Sequence, residues 1–214
     1  VNWKDLRPLQ LSQMKIQKLK INIKAAKYAL CNELHVEYFI YCVLKSFKLS
    51  SGKIVIKDCD FSQMNKHTIQ RHLKNNIYFQ ENNGCVYLTN YHKIQPDCEN
   101  YVVDFDEITK FASRPMLKKK NVIKVWDSTN IKYFLLCVVA AHKGQKCPYA
   151  LSLIKDDTRQ SISTIQRALK IFGVERDHRL WKENSPRSYY FNGNRINLSP
   201  NYYKMPVGIM ISQL

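Results

Sequence analysis

Two short stretches of this chain read almost alike: residues 68–74 are TIQRHLK and residues 164–170 are TIQRALK. Each sets a glutamine beside an arginine, Gln70 with Arg71 and Gln166 with Arg167. An arginine guanidinium presents paired donors that match the O6 and N7 acceptors of guanine. A glutamine amide presents the donor and acceptor that match N7 and N6 of adenine. The chemistry is hydrogen-bond reading of base edges, with no bond made or broken. Helical spacing puts Ile69 with Leu73, and Ile165 with Leu169, on one side at i, i+4, where they face a core. The other side carries Lys66, His67, Gln70, Arg71 and Lys74 in the first copy. In the second it carries Ser163, Thr164, Gln166, Arg167 and Lys170. One such face, met alone, reads as an ordinary solvated helix surface. Its recurrence in the same context favours recognition.

Other reactive residue types form weaker patterns. Asp97, Glu99, Asp104, Asp106 and Glu107 cluster with no Lys or Arg between positions 97 and 107. Clustered carboxylates can hold magnesium for nuclease chemistry, but such a site needs groups that converge in space. A solvated loop and the first turn of a helix (VDFDEITKFAS) explain them as well. Cys137, His142 and Cys147 lie close in sequence but lack zinc-ligand spacing, and a structural zinc site needs about four ligands. The seven cysteines are scattered, without a CxxC pair, which reads as reduced and mostly buried thiols. Neither a phosphate-binding glycine loop nor GxSxG or HExxH is present, and the metal-binding His pair of rolling-circle tyrosine nucleophiles is missing. No catalytic residue, metal or cofactor is therefore expected, and the chain reads as a non-enzyme.

Charge agrees with a polyanionic partner. There are 34 Lys and Arg against 17 Asp and Glu, a formal net charge of +17. Enrichment in Lys, Asn, Ile and Tyr also accompanies AT-rich coding, so charge alone does not decide. With 45% hydrophobic and 12% aromatic residues, the chain can build real cores. It shows no apolar run of about 18 residues and no signal-peptide region at its start, so no membrane span is expected. The basic stretch up to Tyr28 reads as a phosphate-contacting arm or as a strand with a solvated basic face. LKINIK alternates like an edge strand, and AAKYALCNEL reads as a helix.

The elements that position the two TIQRxLK segments also recur. Residues 38–44 (YFIYCVL) match 133–139 (YFLLCVV) at an offset of 95, and the TIQRxLK pair follows at 96. Two ordered matches differing by one inserted residue imply two copies of one module. Each begins with an apolar helix, for which Asn32 and Ser128 are the expected N-caps. Each ends in a hairpin. In the first, Ile77–Gln80 and Cys85–Thr89 flank Glu81-Asn82-Asn83-Gly84, an Asn-Gly turn signal. In the second, Gly173 stops the helix. Arg179–Lys182 and Tyr189–Phe191 then flank Asn184-Ser185-Pro186-Arg187.

Residues 159–170, RQSISTIQRALK, resemble the turn and recognition helix of bacterial and phage helix-turn-helix proteins. In that family a small polar residue precedes a T-[IV]-x-R-x-[IL] core. Ser161, Ser163, Thr164, Ile165, Arg167 and Leu169 fit those roles, and YALSLIKDDT resembles the supporting helix, with Ala150, Leu151 and Ile154 facing in. The doubling is similar to plasmid and phage replication initiators and regulators with two winged-helix domains. In the first copy GKIVIKDCDFSQ stands where the supporting helix would be. Its first part reads as a strand, and Asp58 and Asp60 would sit near phosphates that repel them. The resemblance implies that this copy is a degenerate reader or a dimerisation module.

The expected fold is mainly α with small β-hairpin wings (α+β), as two tandem winged-helix modules. The expected organisation is a basic arm (1–29), module one (30–95), and a linker with an acidic then a basic patch (96–124). Module two (125–200) and a tail (201–214) follow. Arg114 and Lys118, Lys119 and Lys120 are expected along a phosphate backbone. Arg159, Gln160, Ser161 and Arg187 join the reading-helix residues as DNA contacts. The expected partner is double-stranded DNA, with a homodimer through the apolar tail as an alternative to its packing on a module. The expected function is sequence-specific binding as a replication initiator or transcription regulator of a phage, plasmid or mobile element. A metal-dependent DNA-processing enzyme and a winged-helix protein-interaction component are the alternatives. The setting would be the cytoplasm of a bacterial or phage-infected cell, or the nucleus of a eukaryotic one.

Overall fold

A computed structural model describes residues 18–46, 53–55, 71–74, 76–82, 85–89, 100–104, 126–144, 149–176, 188–191, 194–197, 203–204 and 210–213. The described residues form an α+β fold of five helices and four small antiparallel sheets. The helices are α1 (Ile23–Cys31), α2 (His35–Ser46), α3 (Ser128–Gly144), α4 (Leu151–Thr158) and α5 (Ile162–Ile171).

The centre is α3. Ile131 and every residue from Tyr133 to His142 are buried, so this helix has no solvent face over those turns. It is enclosed by α1, α2 and α5 and by the short strand β9 (Tyr203–Lys204). The matched segment of α2 is buried in the same way, from Tyr38 to Leu44. One continuous apolar core therefore runs through both copies of the repeat. Its middle is aromatic: Phe39 of α2 lies 4.8 Å from Trp126 and 6.0 Å edge-on to Phe134 of α3. Phe134 in turn meets Phe172 at the end of α5 at 6.1 Å.

The first described strand, β1 (Lys18–Asn22), exposes Lys18 and Lys20 and buries Leu19 and Ile21. It is an edge strand with a solvated basic face, one of the two readings of that stretch. Its partner is β5 (Asn100–Asp104), which also pairs with β10 (Met210–Gln213) in the order β1-β5-β10. The start of VDFDEITKFAS, expected as the first turn of a helix, is thus at Val103 and Asp104 the end of a central strand. Tyr101, Val102 and Val103 are a bulky, largely β-branched run buried between partners from distant parts of the sequence. The described part of the apolar tail, Met210–Gln213, accordingly pairs within its own chain.

Asn22 ends β1 and starts α1. Its side-chain Oδ1 accepts from Ala25 N at 3.0 Å, and its Nδ2 donates to Asn100 Oδ1 at 3.4 Å. The Tyr38 hydroxyl closes on it from α2, accepting from Asn22 N at 2.9 Å and donating to Asn22 O at 3.1 Å. All three residues are buried. The expected caps need correcting. Asn32 closes α1, its Nδ2 donating to Tyr28 O at 2.8 Å, because Glu33 adopts the left-handed φ of 57° that ends a helix. Asp127, one residue before Ser128, caps α3 by accepting from Asn130 N at 2.8 Å.

Strands β2 (Lys53–Val55), β3 (Phe79–Asn82) and β4 (Cys85–Leu88) form a sheet in the order β2-β4-β3. The register sets Asn82 opposite Cys85, a two-residue connection as the Asn-Gly signal requires. The strand expected in the first part of GKIVIKDCDFSQ is present over Lys53–Val55 and joins this hairpin. In the second copy β6 (Glu175–Arg176) pairs with β9, and β7 (Ser188–Phe191) pairs with β8 (Asn194–Asn197). The strand over 189–191 was expected to pair back with 179–182. It pairs forward instead, across Asn192-Gly193, a second Asn-Gly step at the tighter loop length. Residues 179–182 lie outside the described set. Among the described residues no helix is long and apolar enough to cross a membrane, and Cys31, Cys42 and Cys137 form no disulfide.

The start of α2 meets the start of α3 through a buried histidine. His35 Nε2 lies 3.0 Å from Ser128 Oγ, and burial, helped by nearby Lys132, lowers its pKa to about 4 against the opposing pull of Glu37 and Glu33. Burial pushes the Glu37 carboxyl up, but the hydrogen bond with His72 Nδ1 at 2.7 Å, a backbone hydrogen bond and the charges of His72 and His35 together outweigh it and leave Glu37 below its usual value. A histidine held neutral by the fold stabilises it fully above its unfolded pKa of about 6.5. That stability is lost as pH falls from there towards 4. The expected outcome is a loss of about 1–2 kcal/mol between pH 7.5 and pH 5, with part of the full linkage screened by solvent. Urea denaturation at the two pH values measures it, and His35→Gln should flatten the difference. An equal slope in both proteins would place the titration elsewhere.

Candidate nucleic-acid interface

Helices α4 and α5 are joined by three residues, Arg159, Gln160 and Ser161. Arg159 ends α4 in the left-handed region, at φ 54° and ψ 23°, a conformation more often given to glycine. Ser161 then N-caps α5, its Oγ accepting from Thr164 N at 3.2 Å. Its hydroxyl also lies 3.0 Å from Ser163 Oγ and 2.8 Å from Thr164 Oγ1. At the other end, Gly173 takes φ 63°. Its N–H reaches Lys170 O at 3.2 Å while Val174 N reaches Leu169 O at 2.9 Å, the paired bonds of a Schellman stop. Both ends of α5 are therefore fixed by local chemistry.

Packing fixes its rotation. Ile165, Ala168 and Leu169 are buried, and Phe172 just beyond the helix is fully buried. With these residues on the core side against α3, Ser163, Gln166, Arg167 and Lys170 are exposed, and Thr164 is half-buried. No acidic residue lies in α5, so its outer face carries no negative charge. Arg159 and Ser161 are exposed beside it. The charged side chains of Arg159, Arg167 and Lys170 enter no ion pair among the described residues.

Gln160 behaves differently from the rest of the expected set. It is half-buried, and its Nε2 donates to Leu30 O at 3.1 Å and to Thr158 O at 3.4 Å. The side chain ties the turn to the end of α1. The same joint holds Asp157, whose carboxylate pairs with Lys27 Nζ of α1 and accepts from the hydroxyl of the buried Tyr149. Lys27 Nζ also sits 5.8 Å from the centre of the Tyr149 ring, and Cys31 Sγ donates to Asp157 O at 3.4 Å. Helix α1, read from sequence mainly as part of a basic arm, is thus the bracket that holds the α4–α5 turn. Lys27, Tyr149 and Asp157 carry no motif. The one signal in the sequence is the Asp156-Asp157 pair set between Lys155 and Arg159.

In the first copy, Leu73 is buried and Arg71 and Lys74 are exposed, so the residues of TIQRHLK that are described divide as their counterparts do. His72 turns inward to Glu37, and Arg71 Nη2 lies 3.4 Å from His72 Nε2. Lys66, His67, Gln70, Lys118, Lys119, Lys120 and Arg187 lie outside the described residues, as do Arg114, Asp58, Asp60, Asp97, Glu99, Asp106, Glu107 and Cys147. Among the described residues no cluster of His, Cys, Asp and Glu could hold a metal ion. Cys137 is fully buried, and burial pushes its thiol well above the usual range.

No protein-family model, no curated protein and no solved structure matches this chain.

The inward turn of Gln160 makes a distinct expectation. Gln160→Ala should cost about 1 kcal/mol of stability through the lost hydrogen bond to Leu30 O. Any preference among DNA duplexes should survive. Thermal unfolding and competition binding together check it, and altered sequence preference at unchanged stability would make Gln160 a contact residue instead.

Proposed function

We propose that this chain is a sequence-specific double-stranded-DNA-binding protein built from two tandem winged-helix modules. It serves as a replication initiator or transcription regulator of a phage, plasmid or other mobile element, and it has no catalytic role. The observation that carries the reading is the outer face of α5: Ser163, Gln166, Arg167 and Lys170 exposed together, without an acidic residue, on a helix capped at both ends. A helix of this kind following a three-residue turn suits insertion into a major groove, with its N-terminal residues at the base edges. A formal charge of +17 supplies the long-range attraction to phosphates.

The order of elements supports the module. In the first copy a buried helix is followed by a short strand, the TIQRHLK segment and a hairpin whose inner strand pairs with that short strand. In the second, three helices are followed by paired strands and a hairpin. The β3–β4 and β7–β8 hairpins would be the wings. Copy two is the base reader. Copy one, with His72 drawn into its own module, contributes phosphate contacts through Arg71 and Lys74 or serves as the dimer face. The basic run Lys118-Lys119-Lys120 tracks the backbone between modules.

Base contacts and phosphate contacts respond differently to mutation. Arg167→Ala should lose about 1–3 kcal/mol on a specific duplex and flatten preference at one position, while non-specific binding stays nearly constant. Neutralising Lys118, Lys119 and Lys120 should weaken all duplexes alike. It should also reduce the slope of log affinity against log salt by about 0.9 per lost phosphate contact. Titration of both variants on specific and scrambled duplexes at several salt concentrations separates the two. Equal weakening of both duplexes by Arg167→Ala would make it a phosphate anchor. Binding unaffected by either change would favour a protein partner.

A further inference from the structure

The reading face of α5 begins with a residue that hydrogen-bond logic does not select. Ile162 is the first residue of the helix and is 40% exposed, the one exposed large hydrophobic in α5. It stands three residues before Ile165 and seven before Leu169, at the margin of the core stripe, and is left exposed where they are buried. It stands four residues before Gln166, so the two share a stripe of the helix about 6 Å apart along its axis. Ser163 and Arg167 run beside it, both exposed. An aliphatic group at the leading turn of a polar, cationic face is placed where a groove floor would come closest. In a major groove, the apolar feature that such a group can meet is the 5-methyl of thymine.

We propose that Ile162 is a specificity-determining contact to a thymine methyl, and that this thymine lies within two base pairs of the pair met by Gln166. The inference rests on the reading of α5 as the groove-bound helix and deepens it by assigning a base type. The spacing follows from geometry. About 6 Å along the helix compares with about 3.4 Å between successive bases of a strand. Ile162 and Gln166 then select a short segment that pairs a thymine methyl with an adenine edge, and Arg167 favours a guanine beside it. The cationic residues at the other end of the face, Arg167 and Lys170, bias the C-terminal half of α5 towards guanine or phosphate. This leaves the N-terminal half as the A·T-reading part.

The test removes one methyl group at a time. The full chain first selects its preferred duplex from a random-sequence pool. That duplex is then rebuilt with each thymine in turn replaced by uracil, which lacks only the 5-methyl. One such replacement should weaken the wild-type chain about fourfold, the burial value of a single methyl. Ile162→Ala should bind the thymine duplex more weakly by a similar or larger factor and should not respond to that uracil. Because Ile162 is 40% exposed, the variant should melt close to the wild-type temperature, and its indifference to that uracil separates lost contact from lost fold. A wild-type chain indifferent to every thymine-to-uracil change would overturn the inference while leaving α5 a base reader. So would an Ile162→Ala variant as sensitive as wild type. A chain that selects no sequence from the pool would remove the reading of α5 itself, and the inference with it.

Discussion

A helix without a polar side cannot remain at a surface, and α3 is such a helix from Tyr133 to His142. Burying it needs neighbours on every side, and the chain supplies α1, α2, α5 and β9. Each neighbour turns its own apolar stripe inward, so the orientation of α5 follows from the sequence of α3. With Ile165, Ala168 and Leu169 committed to the core, the helical repeat leaves Ser163, Gln166 and Arg167 outside. Burial of three such side chains, at about 1.5–3 kcal/mol for each large one, far exceeds the cost of exposing the polar set to water. The proposed reading face is in this sense the complement of the core face.

Polar joints then set the positions that apolar packing leaves loose. Asn22 joins β1, α1, α2 and β5 through four hydrogen bonds to Ala25, Asn100 and Tyr38. Asp157 and Gln160 join α1 to the α4–α5 turn. Hydrogen bonds are directional where hydrophobic contact is not, so a few of them fix a register that the core alone would tolerate shifting. The result is a turn held from behind by α1, with the Arg159 side chain left towards solvent. A reading helix needs that rigidity, because bidentate base contacts tolerate little displacement.

Elements with local signals were legible from the sequence. The 3.6-residue periodicity and the repeat marked α2, α3 and α5. Gly173 marked a helix stop, and Asn83-Gly84 marked a hairpin whose described strands pair in that register. What was not legible depends on distant partners. Strand β5 is made central by β1, some eighty residues before it, and by β10, more than a hundred after it. Nothing local to 100–104 announces either. The second hairpin was placed one turn signal too early because 184–187 is also rich in turn residues. Asn192-Gly193 had the better claim, since a two-residue loop closes a register directly. In the interface, period alone assigned Ser163, Gln166, Arg167 and Lys170 to the exposed face. Gln160 fell in a turn, where periodicity has no meaning, and only its bond to Leu30 O reveals its direction. Ile162 was passed over because an apolar residue in an amphipathic helix is first assigned to the core.

The central claim is that the outer face of α5 lies in a major groove of duplex DNA. Guanine N7 lies in that groove and adenine N3 in the minor groove, and dimethyl sulfate methylates both. Protection footprinting of the chain on its selected duplex therefore reports directly which groove is occupied. The account predicts at least one guanine N7 protected by the wild-type chain and released in Arg167→Ala, with adenine N3 reactivity unchanged at those positions. Protection confined to adenine N3, or bound duplex with every guanine N7 fully reactive, would contradict it.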